Sequence, residues 1–465
     1  MLVIGAEAGM NKKKREKQSD LSARQLAVRI LIRVIYQGAY ANLALDQGLK
    51  NSDLSERDRG LVTEIVNGTI RMKKHLEWVL NNFLVRKNSG LKSHVHVVLL
   101  SALYQMLFLE RIPAYAIINE AVEMTRRDGP GAAGLVNGLL RNVERNRGTI
   151  EFPDPDRRPI EYLATYYSHP EWMVARWLEI YGLEQTEKLL VFNNQPPPLA
   201  IRVNRMKTEQ SQLMSILDEE GVISRLGRVS ETSIILDSLP LPLFRLSSYR
   251  QGLYYIQSES SMLISLALNP SPGSLVYDLC SGVGGKTSHM AELMEDKGRI
   301  VAVDLHQHKL DLLKINCKRL GINIIESRAG DVVAMLPGFA RGDSVLLDAP
   351  CSGSGVLRSR ADIRWRRTEE DIKAMAMLQS QMLEAVADKV RQGGRLVYST
   401  CSLEPEENQQ VIEKFLTKHT DYQLLNVGEA LTGRLELMGN EQEWLTVFPP
   451  CYGMDGMFIC LLRRQ

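Results

Sequence analysis

Three side chains capable of chemistry stand at the ends of two apolar runs. Val345–Leu347 ends in Asp348 and continues Ala349-Pro350-Cys351-Ser352-Gly353-Ser354-Gly355. Leu396-Val397-Tyr398-Ser399-Thr400 runs into Cys401-Ser402. Short, continuous apolar runs stopped by Pro and Gly read as buried parallel strands. A carboxylate and two thiols then sit at the carboxyl edge of one sheet, where ligands bind in open α/β folds. Alone, Asp348-x-x-Cys351 would be a buried cysteine beside a helix-capping aspartate. The second strand-end thiol shifts the balance toward chemistry.

Two thiols and a carboxylic acid suit one demanding reaction, alkylation of C5 of cytosine. That carbon is a poor nucleophile until a thiolate adds to C6 and turns the ring into an enamine. A carboxylic acid such as Asp348 supplies the proton or hydrogen bond that N3 then needs. Loss of the C5 proton and of the thiol completes the cycle. On residue type alone, either cysteine could attack. A free thiol, with a pKa of about 8.5, must be made more acidic, and Lys286 is the candidate cation.

Leu275–Leu279 leads into Cys280-Ser281-Gly282-Val283-Gly284-Gly285-Lys286-Thr287. Cysteine at 280 excludes a Walker loop, and Thr287 stands where a dinucleotide fingerprint needs its third glycine. What remains is a glycine-rich turn that lets bare backbone approach a ligand. Asp304 ends the next strand, the usual place for a carboxylate holding ribose hydroxyls, and Asp331 follows a third segment, placed for a base amino group. With Asp348 in register, these point to S-adenosylmethionine.

Asp278-Leu-Cys-Ser-Gly-Val-Gly-Gly-Lys-Thr287, Asp348-Ala-Pro-Cys-Ser-Gly-Ser-Gly355 and Tyr398-Ser-Thr-Cys-Ser402 resemble the motifs of RNA cytosine-5 methyltransferases. The helical first 150 or so residues resemble the NusB RNA-binding fold, a looser pattern of apolar helices. Together the two resemblances span nearly the whole chain and imply methylation of 16S rRNA. They make Cys401 the nucleophile and give Cys351 the release of the methylated base. Residues 280–286, Asp304, Asp331 and Asp348 would line the cofactor. Ser281-Gly282-Val283 stands where the family commonly has Ala-Ala-Pro, and its glycine keeps the turn feasible.

Arg358, Arg360, Arg364, Arg366 and Arg367 surround Trp365 just beyond the Asp348 loop. Arginines beside a stacking aromatic suit single-stranded RNA. A salt-bridged surface loop is the plainer alternative.

These groups need scaffolds. A chain of 465 residues is long enough for several domains. Residues 1–20 form a basic tail expected to be disordered. Residues 21–150 carry helical periodicity, with Leu26, Ile30 and Val34 on one face. Residues 151–259 read as a linker and a small α+β module, with a strand at Leu199–Val203. From 260 to 465 strand, turn and helix alternate, as in a Rossmann-like, doubly wound domain. Strands are expected at Leu275–Leu279, Arg299–Asp304, Ile322–Ile325, Val345–Leu347 and Arg395–Thr400, with an edge strand at Met457–Leu462. Long helices are expected at Lys309–Leu320 and Glu369–Val390.

The net charge of +2 requires any nucleic-acid surface to be a local patch. Six cysteines without a Cys-x-x-Cys pair argue against zinc and for free thiols in a reducing cytoplasm. No apolar run approaches the ~18–20 residues of a membrane span, and the apolar start at Leu2–Ile4 is too short for a signal peptide. The expected partner is 16S rRNA, with no membrane, no metal and a monomeric chain. Two other readings compete: an RNA-binding assembly factor with an inactive Rossmann-like domain, and a DNA cytosine methyltransferase attacking through Pro350-Cys351. The second thiol weighs against the first, and the Thr400-Cys401 motif against the second.

Overall fold

The computed structural model describes residues 21–84, 90–129, 131–229, 231–435 and 443–465; the basic tail at 1–20 lies outside them. The chain divides into two compact units. One runs up to Gln195 and also contains Arg360–Arg366; the other comprises Pro196–Ser359 and Arg367–Gln465.

The first unit is helical. Its opening helix, Ala23–Tyr36, starts in a capping box in which Ser22 accepts from the Gln25 amide and the Gln25 side chain accepts from the Ser22 amide. Leu26, Ile30 and Leu31 turn inward and join Val62, Ile65 and Val66 of the helix Glu56–Arg71 and Val98 to Leu103 of Ser93–Phe108 in one core. Ser93–Phe108 is apolar on nearly every side because it runs through the middle of that core. Residues 151–195, read from the sequence as the start of the α+β module, pack with this unit instead. The run Glu171–Asn194 is two helices broken at Gly182, whose φ of 72° no helix permits.

The second unit opens with a four-stranded antiparallel sheet in the order β2-β3-β1-β4: β1 (Leu199–Val203), β2 (Ile223–Leu226), β3 (Ser233–Ser238) and β4 (Tyr254–Ile256). A larger sheet follows, built from β5 (Leu275–Leu279), β6 (Arg299–Asp304), β7 (Ile325–Ala329), β8 (Gly342–Asp348), β9 (Val390–Thr400), β10 (Tyr422–Leu425), β11 (Trp444–Val447) and β12 (Met457–Arg464). Its order is β10-β12-β9-β8-β5-β6-β7, with β11 also paired to β12. Strands β5 to β9 are parallel, and β12 runs antiparallel to β9. Alternate residues face opposite layers. Val276, Ile300, Leu346 and Val397 pack with the helices Glu259–Leu268 and Gly285–Leu293. Leu279, Val303, Leu347 and Tyr398 pack with Leu383 and Val386 of the helix Glu369–Val386 and with Ile412 and Phe415.

Strand β7 begins where the sequence placed its end. Ile322 is buried just before it, and the amides of Asn323 and Ile324 donate to the Asp296 carboxylate. Glu326 and Arg328 hide the true strand from an apolar-run reading; at the edge of the parallel array Glu326 pairs with both Arg299 and Arg328. The long helix stops at Val386, and a 3-10 turn carries the chain to Lys389.

Strand order reverses at β5, which has β6 on one side and β8 on the other. Loops following β5 and β8 therefore diverge above a crevice at the carboxyl edge. That crevice holds the candidate site.

Candidate functional site

Register brings the chemistry together. Asp348 lies opposite Ser399 across β8 and β9, so the loops that leave these strands carry Cys351 and Cys401 side by side. The two sulfurs are 3.0 Å apart, and the Cys401 amide donates to Cys351 Sγ at 3.3 Å. Both are free thiols. The Gly355 amide donates to the Cys401 carbonyl at 3.0 Å and the Leu403 amide to Ser354 Oγ at 2.9 Å, joining the loops further.

Asp348 accepts from Lys286 Nζ at 2.6 Å and from Ser399 Oγ at 2.9 Å. Lys286 stands in the first turn of the helix that follows the glycine-rich loop, so one ion pair links the loop after β5 to the end of β8. Burial alone would make the ammonium more acidic, but the Asp348 carboxylate outweighs it and raises the Lys286 pKa, with Asp278 and Cys401 adding to the effect. The Cys351 thiol is pushed well above the usual range, first by its hydrogen bond with Cys401 and then by burial. Cys351 is therefore held protonated in the resting site.

The glycine-rich turn is built as a cradle. Cys280 adopts φ 69°, and Gly282 and Gly284 follow at 59° and 90°. Side chains rarely adopt such angles, so glycine is required at the latter two positions. A Cβ on Gly284 would come within 2.8 Å of Leu313, whereas one on Gly282 would meet nothing within 4 Å. Room is thus left above Gly282 for a ligand. Gly284 caps the helix Gly285–Leu293. Val283 is exposed, and its carbonyl accepts from Asn316 Nδ2 at 3.2 Å.

Asp304, at the end of β6, accepts from the Gly282 amide at 3.0 Å and from the His306 amide at 2.9 Å, so it also holds the turn in shape. Asp331 is exposed and caps the short helix Val332–Met335 through the Ala334 amide. Ser281 Oγ and Asp278 Oδ1 are buried without a partner among the described residues. Burial raises the Asp278 pKa to about 7, and raises the Cys280 thiol to about 12 with help from Asp348 and Asp304. An open floor at Gly282, acidic groups at the strand ends and an unpartnered Ser281 hydroxyl fit a nucleoside-bearing cofactor.

The arginine cluster is not assembled as an open basic patch. Arg364 is fully buried in the helical unit and donates to the carbonyls of Ser168 at 3.0 Å and Asn193 at 3.1 Å, and to Asn194 Oδ1 at 3.0 Å. Trp365 donates its indole N–H to the Ile70 carbonyl at 2.7 Å. Arg366 binds the carbonyls of Gly38 and Ala39 and lies 4.5 Å from the Tyr40 ring. These three serve the packing of Arg360–Arg366 in that unit; Arg364 is buried away from the surface, while Trp365 and Arg366 are half-buried. In the other unit, Arg358 donates to the Pro196 carbonyl and Arg367 to the Ser352 carbonyl. Arg360 is exposed.

Sequence reasoning passed over Arg202. It is fully buried on β1 and pairs with Glu292 at 2.7 Å. It also donates to the Gly285 carbonyl at 2.8 Å and to Ser288 Oγ at 3.0 Å. The small sheet thereby anchors the helix that carries Lys286. An arginine inside the apolar strand Leu199-Ala-Ile-Arg-Val203 was the available signal. Glu407 was also passed over. Among the described residues, no group of His, Cys, Asp and Glu is arranged to hold a metal ion, and no helix is long and apolar enough to cross a membrane.

Comparison with known proteins agrees with this geometry. Residues 265–463 match the family model of the 16S rRNA methyltransferase RsmB/F, residues 21–145 that of the NusB family, and residues 169–240 the ferredoxin-like domain of RsmF/B-like methyltransferases. The chain is 37% identical to the probable ribosomal RNA small subunit methyltransferase B of Bacillus subtilis, over 96% of this chain and 99% of the relative. It is 32% identical to the Synechocystis protein of the same description, over 96% and 100%. The crystal structure of PH0851 superposes with a TM-score of 0.79 at 27% identity, covering 96% of this chain and 99% of that one. A methyltransferase homolog from Pyrococcus horikoshii gives 0.58 at 30% identity, over 66% of this chain and 99% of that one.

Proposed function

Because the chain belongs to the RsmB/F family of 16S rRNA methyltransferases, we propose that it methylates C5 of one cytosine of 16S rRNA through a covalent bond between Cys401 and C6. It is an S-adenosylmethionine-dependent methyltransferase of small-subunit rRNA. When bound, S-adenosylmethionine supplies an electrophilic methyl group.

The glycine turn from Cys280 to Gly285, with Asp304 and Asp331 beside it, holds the cofactor's nucleoside. Cys401 adds as thiolate to C6. Lys286, whose ammonium faces Cys401 and Asp348, steadies the negative charge, and the Asp348 carboxylate carries the Cys401 proton to N3. C5 then attacks the methyl group. Cys351 gives its own proton to solvent and its thiolate takes the C5 proton, the C6–sulfur bond breaks toward Cys401, and N3 returns its proton to Asp348 as the ring regains aromaticity. Alkylation of Cys401 removes the hydrogen bond that most strongly holds Cys351 protonated, so Cys351 becomes a usable base only when one is needed.

The pair of thiols 3.0 Å apart carries this reading. A pure binding module has no use for it. Reaction at C5 requires the cytosine to leave its stack, which makes naked or partly folded rRNA the substrate. Arg360, which is exposed, is assigned to the RNA together with Arg358 and Arg367. Bisulfite sequencing of 16S rRNA treated with the protein and S-adenosylmethionine is expected to show one protected cytosine. A methylated product without any protected cytosine would remove the C5 assignment.

A further inference from the structure

Glu407 is fully buried, and no cation lies within ion-pairing distance of it among the described residues. It sits in Glu404-Pro405-Glu406-Glu407-Asn408, just beyond the Cys401 loop. Its Oε2 accepts from the Ser352 amide at 2.8 Å and from Gln379 Nε2 at 2.9 Å. Its Oε1 accepts from Ser402 Oγ at 2.6 Å. Ser352 follows Cys351 and Ser402 follows Cys401, so one carboxylate ties the two cysteine loops together.

The neighbouring groups complete the clamp. Gln379 Nε2 also donates to the Pro350 carbonyl at 2.9 Å, which fixes Cys351 from its other side. Asn408 accepts from Thr400 Oγ1 at 2.5 Å and donates to the Ser402 carbonyl at 2.9 Å, so both neighbours of Cys401 are bound to it. Desolvating a carboxylate is costly, and the cost is met here by three donors without a counter-charge. Fold stability alone would be served as well by a neutral, well-packed side chain.

We propose that Glu407 is a positioning residue of the methyl-transfer site: its carboxylate locks the Cys351 loop to the Cys401 loop and so sets the separation of the two thiols. This rests on the covalent reading above for its catalytic consequence, though not for its geometry. The negative charge has a second effect, since Glu407 adds to the influences that keep Cys351 protonated.

Glu407→Ala and Glu407→Gln test it in the full chain. Glutamine can still accept from Ser352 and Gln379 with its oxygen and turn its amide toward Ser402. Phenylarsine oxide, which closes a ring only on two adjacent thiols, reads the separation without any reaction of RNA. Glu407→Ala is expected to bind it at least ~10-fold more weakly than the unmodified chain, and to lose about 10²-fold in kcat, because a displacement near 1 Å at reacting groups has that effect. Its affinity for S-adenosylhomocysteine stays within about twofold, since no cofactor residue is touched. Glu407→Gln is expected to bind the arsenical normally and to shift its pH–rate profile to lower pH. Unchanged arsenical affinity in Glu407→Ala overturns the proposal, and so does a loss of cofactor binding equal to the loss of kcat. Should Glu407→Ala fail to fold, Glu407→Gln decides, and an unmoved pH profile counts against the charge. Full activity in Cys401→Ala would defeat the covalent reading and leave the arsenical result standing.

Discussion

Cys351 and Cys401 meet sulfur to sulfur at 3.0 Å, each at the end of its own strand, with the Cys401 amide directed at Cys351 Sγ. The contact makes the two thiols unequal. Cys351 accepts from its partner's backbone, and its ionisation is opposed first by the hydrogen bond with Cys401 and then by burial.

Replacing Cys401 with alanine removes the largest of those influences. The pH midpoint for alkylation of Cys351 by iodoacetamide is expected to fall in Cys401→Ala. Burial remains, so the midpoint stays above that of an exposed thiol. Mass-spectrometric rates at Cys351 between pH 7 and 10.5 measure it, and an unmoved or rising midpoint would contradict the coupling.

Asp304 gives the clearest test of the cofactor cradle. Its carboxylate holds the Gly282 amide at 3.0 Å and is assigned the ribose hydroxyls. Asp304→Ala loses both, and each charge-assisted hydrogen bond is worth about 1.5–3 kcal/mol. Affinity for S-adenosylhomocysteine by isothermal titration is expected to fall by at least ~10-fold. Wild-type affinity in a folded variant would take Asp304 out of the site.

Asp278 predicts a pH dependence of stability. Burial raises its pKa from 3.8 to about 7, with the Thr287 hydroxyl at 2.6 Å opposing the shift. The unfolded chain releases this proton near pH 4, while the folded chain keeps it until about 7. Stability from this group is complete below pH 4, falls as pH rises to about 7 and is level beyond. Three pKa units correspond to on the order of 4 kcal/mol. Asp278→Asn is expected to match the unmodified chain at pH 4 and exceed it at pH 8 in urea unfolding of the cofactor-free protein. Parallel pH profiles would rule out the shift.

The candidate constellation was legible because its residues sit at strand ends, where apolar runs meet Pro and Gly. Asp348, Cys351 and Cys401 needed only the parallel register to meet, and that register follows from strand, turn and helix in alternation. Lys286 was legible as a cation near the site, though its engagement with Asp348 was not. Less visible were groups whose roles depend on contacts distant in sequence. Glu407 lies in an acidic stretch that resembles a solvated turn, yet its partners come from residues 352, 379 and 402. Arg364 and Trp365 resembled an RNA-facing cluster because basic and aromatic residues have the same composition at a surface and in a packed segment. Only tertiary contacts show that the Arg364 guanidinium is occupied by backbone carbonyls.

Arg364 can be separated from a nucleic-acid contact by experiment. Burial pushes its pKa down to about 9, and its donors serve carbonyl groups of the helical unit. Arg364→Ala leaves several buried carbonyls unsatisfied, at about 1–3 kcal/mol each. The thermal transition of the helical signal is expected to drop by several degrees. A phosphate contact would behave differently, and its loss would lower the salt slope of RNA binding by about one. An unchanged melting temperature with a reduced slope would restore Arg364 to the RNA surface.

The two thiols are finally separated by what each leaves behind. In the assigned order, Cys401 forms the bond to C6 and Cys351 removes the C5 proton that permits its cleavage. Cys401→Ala is expected to give neither methylated RNA nor a covalent complex. Cys351→Ala still attacks and transfers the methyl group, but elimination stalls, so protein and RNA migrate together on a denaturing gel when S-adenosylmethionine is present. The adduct should build up to nearly one per active site in a single turnover, because the chemistry before it is intact. Lys286 and Asp348 are untouched in this variant, so the attack step keeps its cation and its proton carrier. If the roles are reversed, the adduct appears in Cys401→Ala and not in Cys351→Ala. Full turnover in both variants would end the covalent mechanism and leave the 3.0 Å thiol pair without a catalytic purpose.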